Sequence, residues 1–543
     1  MKRLSRTFLA SLAALAGLSG LARADGELDP AFGIGGKVTT AFGVPAATAT
    51  SVVLQPDGKI VAAGWLFDET ANIDFALARY NADGSLDNSF GIGGRVRTDF
   101  FGLDDVANAV ARQADGKIIA AGTARVGFDL RIALARYNVD GSLDSTFDGD
   151  GKAVTPDASG VAYGVVVQPD GKIVVAGSNF ALVRFNVDGS LDTGFGKGGE
   201  FAIRGFGATA MTLQLDGKIV VAGSINSSGT GDDLAVVRVN SDGSLDKTFG
   251  SAGIVTTDFF GSGDVAWAVT LQPNGRIVAG GYAVDSLSTG PHFGVARYDA
   301  DGSPDLTFNG NGRTSTDFPG FDEVAFGVAV QGDGKILAAG RAFGTADYDF
   351  AIVRYTPDGA EDPGFGLSGR VTTDFFGRND GIRGILIQLD GKIIAAGGAQ
   401  DETTGYFALA RYLSSPSAPT GCPHSAGFWK KHRELWPVTS LTLGAQPYSG
   451  NELLLILSRP PKGDASILLA RELIAAKFNV AGGVSSPEMI ADIASADEVL
   501  GAYAGKVPYE VTPTSPAGRA MVHLAGNLAS RNNRRSDPSC PAE

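Results

Sequence analysis

The residues best placed for chemistry are acids that recur at fixed points in the chain. Asp105, Asp264, Asp322 and Asp380 each stand just before a short apolar run of β type, with Asp104 and Glu323 beside them. If those runs are the innermost strands of a closed ring, the four carboxylates gather around the mouth of its axial channel. Like charges held close raise one another's pKa unless a cation lies between them. The set predicts docking of a divalent cation, calcium by its preference for oxygen ligands, or of a cationic group of a partner. The other reading is that these acids cap turns and face water.

A second set recurs seven times. Arg79, Arg136, Arg184, Arg238, Arg297, Arg354 and Arg411 share one position, and Asp29, Asp87, Asp144, Asp192, Asp246, Asp305 and Asp362 share another. A motif present in every copy does not mark a single active site, because a site breaks the symmetry of the repeat. The expectation is structural, a guanidinium holding turn carboxylates or carbonyls by charge-assisted hydrogen bonds. Asn81, Asp83, Ser85 and Asp87 also alternate as calcium-loop ligands do, but without the terminal Glu of such loops.

Nucleophile and metal signatures are sparse. His292 is the only histidine between residues 25 and 413, beside Pro291, and no Gly-x-Ser-x-Gly, His-Glu-x-x-His or phosphate-loop motif occurs. No catalytic residue is assigned on this basis. A carboxylate-based hydrolase or lyase acting on a glycan is the enzymatic alternative to a binding protein.

These residues sit on a repeat. Gln55 to Gly64, QPDGKIVAAG, returns at Gln113, Gln168, Gln214, Gln272, Gln331 and Gln388, a spacing of stacked units. Each period holds four β runs, and Asp-Gly pairs at the first and third connections mark antiparallel hairpins. The third-run motif occurs seven times, ending at Ala408 to Tyr412, and no fourth run follows it. An extra fourth run, Leu28 to Thr40, precedes the first copy. The offset predicts an all-β, seven-bladed propeller closed by its N-terminal strand. Variable second connections, such as Trp65 to Ile73 and Arg341 to Tyr348, emerge on the face opposite the constant turns. That face is the expected contact surface for a protein or glycan partner.

The pattern QPDGKIvaaG followed by fALaRYn-DGSLDxtFGxGG, over residues 28 to 413, resembles the delta-60 repeat proteins. The resemblance implies a propeller fold and export, and carries no established chemistry.

Export is also read from the start of the chain. Residues 1–24 have Lys2, Arg3 and Arg6, an apolar run and Ala22-Arg-Ala24, the pattern of a cleaved secretory signal. The destination is periplasm, cell surface or medium. After the propeller, 25–413, comes a Pro/Ser linker at 414–420 and then a region, 421–543, with helical spacing at Glu452 to Leu457, Ala465 to Phe478, Pro487 to Leu500 and Met521 to Ala529. Its opening, CPHSAGFWKKHRELW, resembles a G-[FY]-W-K-x-H segment of exported bacterial proteins. Phe428, Trp429 and Trp436 are expected in its core. Only Cys422 and Cys540 occur in the chain, and in an exported protein they are expected to form a disulfide. The other reading is a zinc set with His424, His432 and His523. The acidic balance, a net charge of −14, repels nucleic acid and anionic lipid and favours cations or basic partners, so no nucleic acid partner is expected. No membrane span is expected, no cofactor is implied beyond the calcium reading, and the chain is expected to be a monomer.

Overall fold

The computed structural model describes residues 25–532, apart from 69, 71, 157–159, 179–181, 215, 228–230, 286–289, 319, 321, 345, 389, 415–422, 432, 434–435, 437, 439, 482–483 and 485. The expected signal, most of the linker, His432 and both cysteines therefore lie outside the described residues.

Seven four-stranded antiparallel sheets follow one another along the chain. The first comprises Ala47–Leu54, Ile60–Phe67, Ile73–Tyr80 and Arg95–Thr98. The second strand of every blade is apolar on both faces because a sheet lies against each side. Ile60, Val61, Ala62 and Ala63 are all fully buried. Neighbouring blades share apolar clusters, such as Val61, Phe75 and Leu77 with Ala107, Ile118 and Ala120. They are also joined by Thr–Tyr hydroxyl pairs, Thr98 with Tyr137 at 2.8 Å and Thr316 with Tyr355 at 2.8 Å.

The last sheet is composite. Asp380–Ile387, Ile393–Gln400 and Gly405–Tyr412 take Lys37–Thr40 as their outer strand, paired Lys37 to Ala410 through Thr40 to Phe407. Closure goes further than one strand. Asp25-Gly-Glu-Leu-Asp29 repeats the turn sequence Asp83-Gly-Ser-Leu-Asp87, and the Asp25 carbonyl accepts from Gly366 N at 2.8 Å as the Asp140 carbonyl accepts from Gly91 N at 2.7 Å. The N-terminal segment supplies both the seventh turn and the seventh outer strand. The hydroxyl pair of Tyr80 with Thr40, 2.9 Å, completes the circle.

The C-terminal region is a helical unit of α1 (Ala426–Lys431), α2 (Gly450–Ser458), α3 (Ala465–Ala481), α4 (Pro487–Gly501) and α5 (Pro516–Arg531). A hairpin, Ser440–Leu443 with Gln446–Ser449, precedes α2 and was not foreseen from the sequence. Trp429 and Trp436 are buried with Phe478, and Phe428 packs at the edge of this core. Among the described residues no helix is long and apolar enough to cross a membrane.

Candidate functional site

The repeated arginines are structural, as expected. Arg79 Nε donates to Asp87 Oδ2 at 2.7 Å, its Nη1 reaches the Val139 carbonyl of the next blade, and its guanidinium lies 4.5 Å from the Phe90 ring centre. The Arg–Asp pair recurs in all seven blades, closing with Arg411 and Asp29 at 2.9 Å. Burial opposes ionisation of Asp87, but hydrogen bonds from Ser89 and Lys59 and the Arg79 charge outweigh it and hold the carboxyl well below its usual range. Asp83 is engaged by the Ser85 amide and hydroxyl. The alternating oxygens of this loop therefore bond to one another and to cations of the chain, which accounts for them without calcium.

The link acids do not converge into one cluster. Asp105, Asp264 and Asp380 each open the innermost strand of a blade and each accepts a backbone N–H five residues earlier, from Phe100 at 2.7 Å, Phe259 at 2.7 Å and Phe375 at 2.6 Å. Glu323 does the same for Phe318 at 2.9 Å. Asp322 instead accepts from Arg341 at 2.9 Å and the Tyr348 hydroxyl at 2.7 Å. Asp105 and Asp264 are fully buried, so they cap links and do not face water.

Three separate triads of acids form between adjacent blades: Asp74, Asp99 and Asp105; Asp233, Asp258 and Asp264; Asp349, Asp374 and Asp380. Burial, with like charges nearby, pushes Asp105 and Asp380 up to about 7 and Asp264 and Asp349 up to about 6. Their oxygens are of the kind calcium takes, but three carboxylates fall short of its usual six to eight ligands. At the corresponding place between the fifth and sixth blades His292 Nδ1 faces Asp317 at 3.8 Å. His523 is exposed, and His424 stacks on Phe428 at 3.6 Å.

The arrangement that sequence reading missed lies in the axial channel. Every innermost strand shifts register by one residue, between Ala49 and Ser51 in the first blade and at the matching place in the other six. The extra residue is a β-bulge, a device that re-aims a side chain. The seven bulged residues are Thr50, Asn108, Tyr163, Thr209, Trp267, Phe326 and Arg383, and all seven line one cavity of about 540 Å³. The Gly that ends KIVAAG makes the bulge possible. A Cβ on Gly64 would overlap the Thr48 carbonyl oxygen, and the same holds at Gly122, Gly223, Gly281, Gly340 and Gly397. Glycine within a strand is the sequence signal for such close backbone approach.

The short polar members are tied sideways. Thr50 donates to the Ala107 carbonyl at 2.7 Å and Asn108 to the Ala162 carbonyl at 2.8 Å. The large members group together. Tyr163 meets Trp267 edge-on at 6.0 Å, Trp267 lies 5.8 Å from Phe326, and the Arg383 guanidinium sits 4.0 Å from the Phe326 ring centre. Arg383 makes no hydrogen bond or ion pair among the described residues, and the Trp267 indole N–H is buried without a partner there. Burial, with Arg341 nearby, lowers Arg383 to about 10, which leaves it charged at neutral pH.

The fold and this channel define a seven-bladed β-propeller with an asymmetric lining inside a symmetric ring. Six of the seven copies, at residues 55–90, 113–147, 168–195, 214–249, 272–308 and 331–365, match a family model described as a domain of unknown function (DUF5122) beta-propeller. No curated protein matches the chain. Solved structures similar in fold include a catalytically inactive virginiamycin B lyase from Staphylococcus aureus with quinupristin, at 13% identity and a TM-score of 0.40 over 69% of this chain and 98% of that one. Sqt1 from Chaetomium thermophilum bound to the N-terminus of ribosomal protein L10 has 13% identity and a TM-score of 0.38 over 68% and 98%. A polysaccharide lyase, an ulvan lyase of family PL25, has 12% identity and a TM-score of 0.38 over 70% and 96%.

Proposed function

We propose that this is an exported, non-enzymatic binding protein whose propeller takes a small organic ligand into its axial channel. The observation that carries the reading is the contrast at the bulge. Its flanks are small residues in nearly every blade, whereas the bulged side chains range from Thr50 to Trp267 to Arg383. Structural need alone would repeat there as it does for the Arg–Asp pairs. The cavity volume lies within the range of small-molecule sites.

The glycan hydrolase or lyase alternative has less support. Among the described residues the channel lining holds no carboxylate and no histidine. Burial raises the Tyr163 hydroxyl, making it a donor and a poor base. The acids of each triad bring oxygens within 4.8 Å of one another at the blade links, outside the channel lining.

Export in this reading rests on the basic and apolar segment 1–24 and on the delta-60 resemblance, and it makes the Cys422–Cys540 disulfide the favoured state of the two thiols. The test is thermal-shift screening of the mature protein against glycans, polyphosphates and aromatic acids. Ligands that raise the melting temperature should lose that effect in Trp267→Ala and Phe326→Ala. Hits that survive both changes would move the site out of the channel.

A further inference from the structure

We infer that the ligand of this channel is an organic anion with a planar, unsaturated body, its carboxylate or phosphate group held by Arg383. The inference rests on the channel being a ligand site and adds the ligand's chemical class. In a chain of net charge −14, the channel lining contains one charged side chain among the described residues, and it is positive. Arg341, whose charge acts on Arg383, is paired with Asp322 at 2.9 Å, whereas Arg383 has no such partner among the described residues.

A charge that is partly buried and unpaired is a cost that a structural residue avoids by recruiting an acid. Here one ring face is all that compensates it, through a cation–π contact with Phe326 at 4.0 Å. The N–H groups of Arg383 carry no partner among the described residues, and they are the groups with which a guanidinium grips carboxylate or phosphate in a bidentate manner. Two further donors point the same way. Trp267 Nε1 is buried without an acceptor, and the Tyr163 hydroxyl has no acceptor among the described residues. Three donors and three aromatic rings, with no acid among them, suit a flat molecule with anionic oxygens at one end.

The test uses calorimetry with cinnamate, phenyl phosphate and the neutral cinnamyl alcohol on the full mature chain. Cinnamate or phenyl phosphate should bind at least about 10-fold more tightly than the alcohol, with affinity falling as salt rises. Whichever of the two binds better identifies the head group. Arg383→Gln should remove the preference while leaving the alcohol's binding unchanged. If all three bind equally and Arg383→Gln changes nothing, the anion assignment fails while the channel remains a ligand site. If none binds, the planar-anion assignment fails, and the channel reading stands or falls on the wider thermal-shift screen. Arg383→Met supplies a readout independent of the probe: a residue kept for binding should leave the melting temperature unchanged or raise it by roughly 1–3 °C. A fall of more than about 5 °C would assign Arg383 to the fold instead.

Discussion

Asp29 Oδ2 accepts a hydrogen bond from Arg411 Nε at 2.9 Å across 382 residues of sequence, and it reproduces the geometry of Arg79 with Asp87, only eight residues apart. The same buried pair thus serves as an ordinary turn clamp in six blades and as the lock of the ring in the seventh.

The two roles separate by mutation. Asp29→Ala and Asp87→Ala each leave a buried guanidinium without its carboxylate, a loss of about 3–5 kcal/mol. Asp29→Ala should in addition free the Lys37–Thr40 strand and expose the edge of Gly405–Tyr412. Proteolysis at low protease concentration should cut near residue 40 in Asp29→Ala and spare that region in Asp87→Ala. Equal cutting in both would remove the special role of the closing turn.

The acids at the blade links set a pH dependence. Asp105, Glu323 and Asp380 sit at about 7 and Asp264 at about 6, mainly through burial, against about 4 in an unfolded chain. A raised carboxyl contributes stability that is complete below the unfolded value and lost as pH rises through the folded one. The turn acids Asp87, Asp144 and Asp246 are lowered, so their contribution is lost only in strong acid. The melting temperature should therefore peak near pH 4 and fall between about pH 4 and 7. Combining Asp105→Asn with Asp380→Asn, which keeps an acceptor for Phe100 and Phe375, should flatten that fall. A slope unchanged in the double variant would place the titration elsewhere.

In the helical unit one amide organises the opening segment. Asn479 Oδ1 accepts from His424 N at 2.8 Å and from Trp429 Nε1 at 3.1 Å, and its Nδ2 donates to the His424 carbonyl at 2.9 Å and to Asn532 Oδ1 at 3.0 Å. Asn479→Leu would strand the buried indole N–H of Trp429, at about 1–3 kcal/mol, and take away the Asn479 partner of the His424 N–H and carbonyl. The near-ultraviolet signal of Trp429 and Trp436 should be lost in this variant, leaving that of Trp65 and Trp267, while the propeller's β-sheet signal keeps its melting temperature. An intact tryptophan signal would show that the aromatic core holds the segment without Asn479.

Much of the ring was legible because its signals are local. Asp-Gly pairs mark hairpins, QPDGKIVAAG marks a strand buried on both faces, and the surplus copy at Leu28 to Thr40 marks closure. The turn at Asp25 was equally readable from its match to Asp83-Gly-Ser-Leu-Asp87, but Glu27 in place of Ser obscured it. The channel was less legible. A bulge breaks the two-residue alternation on which strand reading depends, so Arg383 and Trp267 read as strand residues like any other. The acids were misplaced for a related reason: their positions before each first strand are visible in the sequence, but the backbone turn that buries Asp105 against the Phe100 amide is not.

The composite seventh blade also orders events in time. Asp25 to Thr40 are made before any other strand of the ring, and their partners at Gly405 to Tyr412 follow only after six blades have been made. Throughout that interval the earliest segment must stay extended and unpaired, and each finished blade presents an open flank to the next. The ring therefore has no intermediate as protected as its final form. A chain interrupted at any point before Tyr412 would be left with an apolar flank and an unused strand of matching register.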